Sequence, residues 1–314
     1  MDITSTEWNL LIAGVAVLGA VTVATAIVTH RRHRRMQKRA KRLEYAIDGL
    51  RKAAVSYPQF MLGRELAHAG GAGAPASRRV PRFYAFRGED LVLWYLFQDQ
   101  PQGTFVEIGG YDGVTCSTTI GFEDLGWRGV LVDAQADLCE MARKARPNSK
   151  VYHAACGDAD GGQVKFTIAI NPAHAGLPQG HTATSFVSSV GDATKPSRSA
   201  ELREVSVPTR RLDSVIREAG FASIDIGVID VEGFEFQVLA GWDFSKVPVR
   251  ALMIETCHVD HQRLDRDMEQ RGFVRALPVA HNTLYVRKDE AVLLQRAADL
   301  AERKPWECLF NLEH

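Results

Sequence analysis

The chain has 314 residues, 46% of them hydrophobic, which is enough for one large folded domain with an appendage. Its formal net charge of zero is unevenly distributed, because eight basic residues lie within residues 31–42. Without them, 30 basic residues face 38 acidic ones, and a body with about eight net negative charges is a poor binder of nucleic acid. The five cysteines are scattered and never spaced as Cys-x-x-Cys, which argues against a disulfide framework and a zinc site and favours reduced thiols.

Residues 1–30 predict a short leader followed by one transmembrane helix. Residues 10–28 are apolar or small apart from two threonines, and about 19 residues in a helix span roughly 29 Å, the thickness of a bilayer core. Trp8 precedes this stretch and the basic run follows it, which predicts an inner or plasma membrane anchor with the N-terminus outside and the rest cytoplasmic. A cleaved signal peptide is the alternative, but the basic n-region is missing and the apolar stretch is long for one.

Residues 31–67 predict a basic juxtamembrane segment that is partly helical. The helical spacing of Leu43, Ile47, Leu50 and Ala54 covers barely two heptads, too few to predict a coiled coil, so the oligomeric state stays open. The basic run at 31–42 sets the topology and is also suited to contact anionic lipid. The Gly, Ala and Pro content of residues 68–82 predicts a flexible linker, and the folded domain is expected at 83–314.

Helices and strands alternate along this domain, which predicts an α/β, Rossmann-like, doubly wound fold whose mostly parallel sheet has an antiparallel edge. The polar stretch from 171 to 199 is too long for an ordinary connection and is expected to be a lid. The predicted helices cover 89–97, 114–125, 138–145, 212–219, a segment from about 234, 260–271 and a segment after 290. The predicted strands cover 104–108, 129–133, 150–154, 163–170, 205–207, 226–230, 250–255, 272–277 and 283–286.

The first strand ends in a carboxylate followed by a glycine-rich turn, with Glu107, Gly109, Gly110, Asp112 and Gly113. Such a turn lets a cofactor lie against bare backbone. The two carboxylates would repel the pyrophosphate of a dinucleotide, whereas S-adenosyl-L-methionine (SAM) carries an ammonium and a sulfonium and no phosphate. The turn therefore predicts a SAM site formed by these five residues.

Acidic residues at the ends of further strands extend the predicted site, because ligands of open parallel sheets bind beyond the carboxyl ends of the strands. Asp133 is expected to accept hydrogen bonds from both ribose hydroxyls, the alternative being a cap of the following helix. Asp158 is placed to reach the adenine amino group, or is an ordinary Gly-Asp turn residue.

Candidates for the acceptor side of the site are Asp230, Glu232 and His281. Strand periodicity predicts that the two carboxylates face the same way, roughly 6–7 Å apart. Beside an incoming hydroxyl they could bind it and accept its proton. In the alternative interpretation, Asp230 is a hydrogen-bonding residue at the end of the sheet and Glu232 caps a helix. His281 is a candidate base, and His258, close to Glu255, a weaker one. A metal bound by these carboxylates and His258 is conceivable, but no short ligand motif supports it, so no metal is predicted.

Several motifs together resemble the FkbM-type family of SAM-dependent methyltransferases, with similarity from about residue 89 to 286. The resemblance implies a class I methyltransferase sheet with SAM over the first glycine turn, and sugar or polyketide-type hydroxyls as acceptors. Gly110 and Tyr111 stand where the family often has Ala and Asn or His, and Asp133 where Glu is usual. The motifs that carry the resemblance are the segments 105–114, 125–129, 207–213 and 229–233.

The sequence therefore predicts a SAM-dependent O-methyltransferase, anchored in the membrane, that acts from the cytoplasmic face on a sugar hydroxyl of a glycan or lipid-linked glycan. A dinucleotide-dependent oxidoreductase or epimerase is the first alternative, but the chain lacks Gly-x-Gly-x-x-Gly and a Tyr-x-x-x-Lys pair. The second alternative is a non-catalytic, membrane-tethered binding protein of the same fold.

Overall fold

The computed structural model describes residues 80–85, 87–170, 186–187 and 201–303. The predicted leader, transmembrane helix and juxtamembrane segment lie outside the described residues, as do nearly all of the linker and of the expected lid. Among the described helices, none combines the length and the apolar character needed to span a bilayer.

Strands and helices alternate through most of the described residues. The helices are α1 (Glu89–Phe97), α2 (Ile120–Asp124), α3 (Ala136–Ala145), α4 (Leu212–Glu218), α5 (Glu235–Ala240), α6 (His261–Gln270) and α7 (Ala291–Arg303). The strands are β1 (Thr104–Ile108), β2 (Arg128–Asp133), β3 (Ser149–His153), β4 (Ala155–Cys156), β5 (Gln163–Ile170), β6 (Phe186–Val187), β7 (Glu201–Arg210), β8 (Ile224–Ile229), β9 (Val249–Glu255), β10 (Phe273–Val279) and β11 (Asn282–Arg287).

The main sheet has seven strands in the order β10-β11-β9-β8-β1-β2-β3. The pairs among β3, β2, β1, β8 and β9 are parallel, whereas β11 runs antiparallel to both of its neighbours. The predicted parallel sheet with an antiparallel edge is confirmed. Parallel strands need a crossover between them, and the helices that supply these crossovers cover the sheet.

Two hydrophobic clusters lie on opposite faces of this sheet, as the alternation of side chains along each strand requires. On β1, Phe105 belongs to the cluster that contains α1 and α7, while Val106 and Ile108 belong to the cluster that contains α4, α5 and α6. On β2, Leu131 joins the first cluster and its two neighbours the second. Burial on both faces explains why these strands read as continuous apolar runs.

A second, four-stranded sheet has the order β4-β7-β5-β6, which the sequence did not predict. In it, β5 pairs antiparallel with β7 along its whole length, from Gln163 opposite Pro208 to Ile170 opposite Glu201. No helix is described between β3 and β5, so the crossover that would bring β5 into the parallel sheet is missing there.

The predicted helix at 114–125 is wrong in its first half, because α2 begins only at Ile120. The carboxylates of Asp112 and Glu107 accept hydrogen bonds from the backbone N–H groups of Thr115 and Thr118, which a regular helix would pair differently. Side-chain acceptors of this kind compete with the helical ladder and hold the segment in turns. The other predicted elements are present, several of them with shifted ends.

Candidate functional site

A cavity of about 250 Å³ opens at the carboxyl ends of β1, β2 and β8. It lies at the topological switch point, because the chain continues from β1 to β2 on one side and places β8 on the other. The predicted site residues that this cavity brings together are Glu107, Gly109, Gly110, Asp133, Asp230 and Glu232.

Gly109 fixes how closely the glycine turn approaches β8. Its φ is 81°, and a Cβ added to it would lie 1.8 Å from the carbonyl oxygen of Asp230. Its N–H donates to the carbonyl of Val132, at 2.9 Å. Only glycine fits this backbone conformation and this contact, so the turn is held between β2 and β8 at the cavity floor.

Glu107 lines the cavity but is only 5% exposed, and its carboxylate is held by neighbours in the chain. It accepts hydrogen bonds from Ser117 Oγ at 2.8 Å, from the Thr118 N–H at 2.8 Å and from Thr119 Oγ1 at 2.6 Å. A carboxylate with this many hydrogen-bond donors is fixed in place. Glu107 therefore positions the segment after the glycine turn and contributes negative charge to the cavity.

Asp133, at the end of β2, also lines the cavity. Its two oxygens accept the N–H groups of Tyr111, at 2.9 Å, and of Gln135, at 2.8 Å. Burial raises the pKa of this carboxyl to about 7. Gln135 is the residue before α3, so both interpretations of Asp133 fit the geometry: it stabilises the start of the helix, and each oxygen keeps a second lone pair for a ribose hydroxyl.

Three predicted cofactor residues, Asp112, Gly113 and Asp158, are not on the cavity wall. The carboxylate of Asp112 accepts the N–H groups of Val114 and Thr115 within its own turn. A Cβ on Gly113 would lie 3.1 Å from Ala142, so this glycine permits close packing against α3. The exposed Asp158 follows β4 in the second sheet. The geometry gives no support for a cofactor contact at these three positions.

Asp230 and Glu232 both line the cavity, but the strand periodicity from which this was predicted is not present. Strand β8 ends at Ile229, and Glu232 has a left-handed backbone with a φ of 55°. A turn, and not an extended strand, thus carries the two carboxylates. The left-handed conformation of a non-glycine residue is uncommon and costs free energy, which is typical of functional turns.

Four carboxyl groups meet on this side of the cavity: Asp230, Glu232, Glu235 and Glu255. Burial, followed by repulsion from Asp230, raises the pKa of Glu232 to about 8 and that of Glu255 to about 10. Burial raises the pKa of Glu235 to about 7, and that of Asp230 is raised as well although its side chain opens to the cavity. Asp230 and Glu255 share a hydrogen bond between their carboxyl groups. A cationic ligand would stabilise the ionised forms of these carboxyls, so the group favours such a ligand.

The two predicted histidines lie next to this group of carboxyls. His258 Nε2 is 3.3 Å from Glu232 Oε2. His281 is exposed in the turn between β10 and β11, and its Nδ1 is 2.8 Å from Cys257 Sγ. Charge on either imidazole lowers the pKa of Asp230, which places both rings within electrostatic reach of that carboxyl. Neither histidine lines the cavity itself.

Comparison with known proteins decides the family. The chain matches the model of the methyltransferase FkbM domain over residues 107–275, which is more than half of its length. The chain belongs to this family. The matched residues begin at the end of β1 and include the whole cavity, and the α/β Rossmann-like methyltransferase fold follows from the family and the sheet together.

Two solved structures illustrate how distant the similarity of this chain to known folds can be. A TehB-like SAM-dependent methyltransferase from Corynebacterium glutamicum is 11% identical, with 72% of this chain and 94% of that chain covered and a TM-score of 0.33. A proposed RNA methyltransferase from Pyrococcus horikoshii is 12% identical, with 73% and 96% covered and a TM-score of 0.32. A search of curated proteins finds no match. These similarities are too weak to carry a functional conclusion.

Arg146 is a buried residue of the FkbM domain that the sequence did not single out. Arg146, only 1% exposed, lies just after α3, and its Nε is 2.6 Å from Glu123 Oε2. Its Nη1 donates to the carbonyl of Gly113, at 2.9 Å, and lies 3.8 Å from Glu107 Oε2. Arg146 therefore ties the glycine turn to α2 and α3. No local motif marks it, because its partners lie more than twenty positions away in the chain.

Proposed function

We propose that this FkbM domain transfers a methyl group from SAM to a hydroxyl oxygen of a sugar, on a glycan or lipid-linked glycan at the cytoplasmic face of a membrane. The observation that carries the proposal is the cavity at the switch point. One wall has the glycine turn and Asp133, which suit a nucleoside, and the other has Asp230 and Glu232, which suit a cation and a hydroxyl.

SAM fits the chemistry of the residues that are present. Gly109 and Gly110 leave bare backbone at the cavity wall, and Asp133 keeps lone pairs for two ribose hydroxyls. The carboxylates at the cavity offset the positive charges of the sulfonium and the ammonium. The same carboxylates would repel the phosphates of a dinucleotide, which argues for SAM over NAD.

When bound, SAM supplies an electrophilic methyl group on a sulfonium. Asp230 is placed to take the proton of the acceptor hydroxyl when that oxygen receives the methyl group, and SAM would leave as a neutral thioether. Glu232 is placed to orient the hydroxyl from the same turn, and His281 is the second candidate for the proton. Alignment of the two reactants in the cavity supplies most of the acceleration.

Two features of the chain support the membrane and glycan part of the proposal. The apolar residues 10–28 and the basic run at 31–42 are typical of a cytoplasmically oriented anchor. The FkbM resemblance favours hydroxyl acceptors on sugars. An anchor holds the domain beside acceptors that are themselves attached to the membrane, which raises their effective concentration.

Calorimetry with the detergent-solubilised full chain tests the cofactor. We expect SAM to bind and NAD to give no heat; the reverse result contradicts the proposal. Transfer is then followed with methyl-labelled SAM and extracted cell-envelope glycans, in which mass spectrometry should find a methyl-sized increase that depends on the protein.

A substitution of Asp230 tests the proton acceptor. Asp230→Asn should lower the transfer rate by about 100-fold or more while SAM still binds. Lys144→Ala, at an exposed position of α3, is the control and should change neither quantity. An unchanged rate in Asp230→Asn removes Asp230 from the mechanism and leaves His281 as the candidate.

A further inference from the structure

Three side chains from three different segments converge beside the cavity. Glu232 is in the turn after β8, Glu255 is the last residue of β9, and His258 precedes α6. Each offers one metal-ligating atom, and these atoms all lie within 4.8 Å of one another. Two carboxylate oxygens and one imidazole nitrogen at this spacing match the donors that divalent cations take in proteins.

Glu235 provides a second, independent indication of a missing ligand. Its side chain is fully buried, with 0% exposed. Oε1 accepts the N–H groups of Val231 and Gly233, both at 3.2 Å, so the carboxylate lies against the turn that carries Glu232. Its other oxygen, Oε2, is buried and has no hydrogen-bond partner within the part of the chain that the structure describes.

Glu255 Oε2 is likewise buried and accepts no hydrogen bond from an N–H or hydroxyl donor of the described residues, although the Glu255 carboxyl shares a hydrogen bond with that of Asp230. A buried carboxyl oxygen that makes no hydrogen bond loses its hydration without compensation and so destabilises the fold. Two such oxygens in one acidic group are difficult to explain by packing alone. A bound cation would compensate both, one by direct coordination and the other through charge.

We propose that Glu232, Glu255 and His258 bind one divalent cation, next to the turn that the buried carboxyl of Glu235 holds. The mixed oxygen and nitrogen donors favour a first-row ion such as Mn²⁺ over Ca²⁺, which takes oxygen ligands alone. Three protein ligands leave coordination positions for water or for a substrate oxygen, as in catalytic metal sites.

The position of the cation site connects it to the cavity. Glu232 is at once a ligand candidate and part of the cavity wall, so a cation bound there borders the space beside Asp230. An acceptor hydroxyl coordinated to the cation would lose its proton more readily, since metal ions lower the pKa of bound oxygen ligands. The site does not depend on the proposed function, because cation binding is measured without a methyl donor or an acceptor.

Binding of Mn²⁺ alone to the chelator-treated full chain tests the site. The electron paramagnetic resonance signal of free Mn²⁺ should fall until about one ion is bound per chain. His258→Gln and Glu255→Gln should each weaken binding at least about tenfold. His261→Gln and Glu269→Gln, which remove the same groups at exposed positions on neighbouring α6, are the matched controls and should bind as the unsubstituted chain does.

Thermal unfolding of each variant shows whether it is folded. If Glu255→Gln does not fold, the test rests on His258→Gln, which we expect to fold because the side chain of His258 is only half-buried. The proposal is overturned if the full chain binds no Mn²⁺, if folded His258→Gln binds it with unchanged affinity, or if the control variants lose it equally.

Discussion

Asp133 is the residue whose protonation most directly affects the cofactor side of the cavity. Its carboxylate receives two backbone N–H groups and yet lies in surroundings that raise its pKa to about 7. In the ionised state both oxygens can accept further hydrogen bonds, whereas the protonated carboxyl loses part of that capacity. Binding of a ribose therefore favours the ionised form.

We expect the affinity for SAM to rise as the pH increases from 6 to 8 and to level off above that range. Below pH 7 the carboxyl must first lose its proton, so the affinity should fall by up to about tenfold per pH unit. Asp133→Asn should remove this dependence and weaken binding at pH 8 by about 10–100-fold. Calorimetric titrations at several pH values measure both effects.

Asp158→Asn is the control, because this exposed residue is not on the cavity wall. It should keep the pH dependence and the affinity of the unsubstituted chain. Equal losses in the two variants would show that Asp158 contacts the cofactor after all. A flat profile in the unsubstituted chain would show that Asp133 does not govern binding in this range.

Arg146 stabilises the fold because it pairs with carboxylates that are buried. Its removal leaves Glu123 and Glu107 without their cation in a region that is almost inaccessible to water. Arg146→Met should lower the free energy of unfolding by about 3–5 kcal/mol. Urea denaturation measures this, with the exposed Lys144→Ala expected within about 0.5 kcal/mol of the original. Similar values for both variants would contradict a structural role for Arg146.

At the scale of elements, three contacts hold the turn after β1 in place. Gly109 approaches the carbonyl of Asp230, Gly113 packs against Ala142 of α3, and Asp112 fixes the following residues. The first two contacts join neighbouring elements to the turn, and Asp112 holds the turn from within. The cavity wall is therefore rigid where the cofactor is expected, which limits the ordering cost of binding.

Two glycines with positive φ allow the cost of backbone strain to be measured separately from the cost of a steric clash. Gly109→Ala adds a methyl group 1.8 Å from a backbone oxygen, whereas Gly126→Ala adds one with no atom within 4 Å. We expect Gly126→Ala to lower the free energy of unfolding by about 1–2 kcal/mol, from conformation alone. Gly109→Ala should cost at least about 3 kcal/mol and abolish SAM binding. Equal unfolding curves would refute the importance of this contact.

The elements that the sequence predicted well are those with a strong local pattern. β5 was predicted at its observed bounds, and β10 and β11 pair antiparallel as expected. The helix expected from 114 to 125 failed because Glu107 and Asp112 take up its N–H groups, a competition that hydrophobic spacing does not record. The second sheet was missed because strand patterns do not tell which sheet a strand joins.

The same distinction holds for the candidate site. Gly109, Asp133 and Asp230 were found because residues that follow a parallel strand meet at one edge of the sheet. Arg146 and Glu235 were not found, since their roles depend on burial and on partners brought close only by folding. The convergence of Glu232, Glu255 and His258 has the same origin and leaves no ligand spacing in the sequence.

At the scale of the whole molecule, charge is segregated along the chain. The basic run at 31–42 stands against a remainder with more acidic than basic residues, and the apolar stretch at 10–28 precedes it. Under the proposed membrane anchor, anionic head groups would attract the basic run and repel the acidic remainder of the chain. The cavity residues begin only at Glu107, well beyond both segments.

Removal of residues 1–42 should therefore distinguish the effect of membrane attachment on the rate from the effect of the cavity residues. We expect the shortened chain to keep its rate on a soluble sugar analogue, because none of the cavity residues is lost. Its rate on an acceptor embedded in vesicles should fall by about 10²-fold or more, since the reaction is no longer confined to the membrane surface. Labelled SAM and the two acceptors, assayed side by side, give both rates.

A variant of the full chain with the eight basic residues of 31–42 changed to Gln serves as the comparison for this deletion. This variant keeps the apolar segment. If the basic run also contacts lipid, each charge near the surface contributes about 1 kcal/mol of attraction to the membrane. The rate of the variant on vesicles should then lie between those of the full and the shortened chain. An intermediate rate only in vesicles with anionic lipid would identify that contact. A deletion that slows both acceptors equally would contradict the anchor, because the loss would then lie in the domain itself.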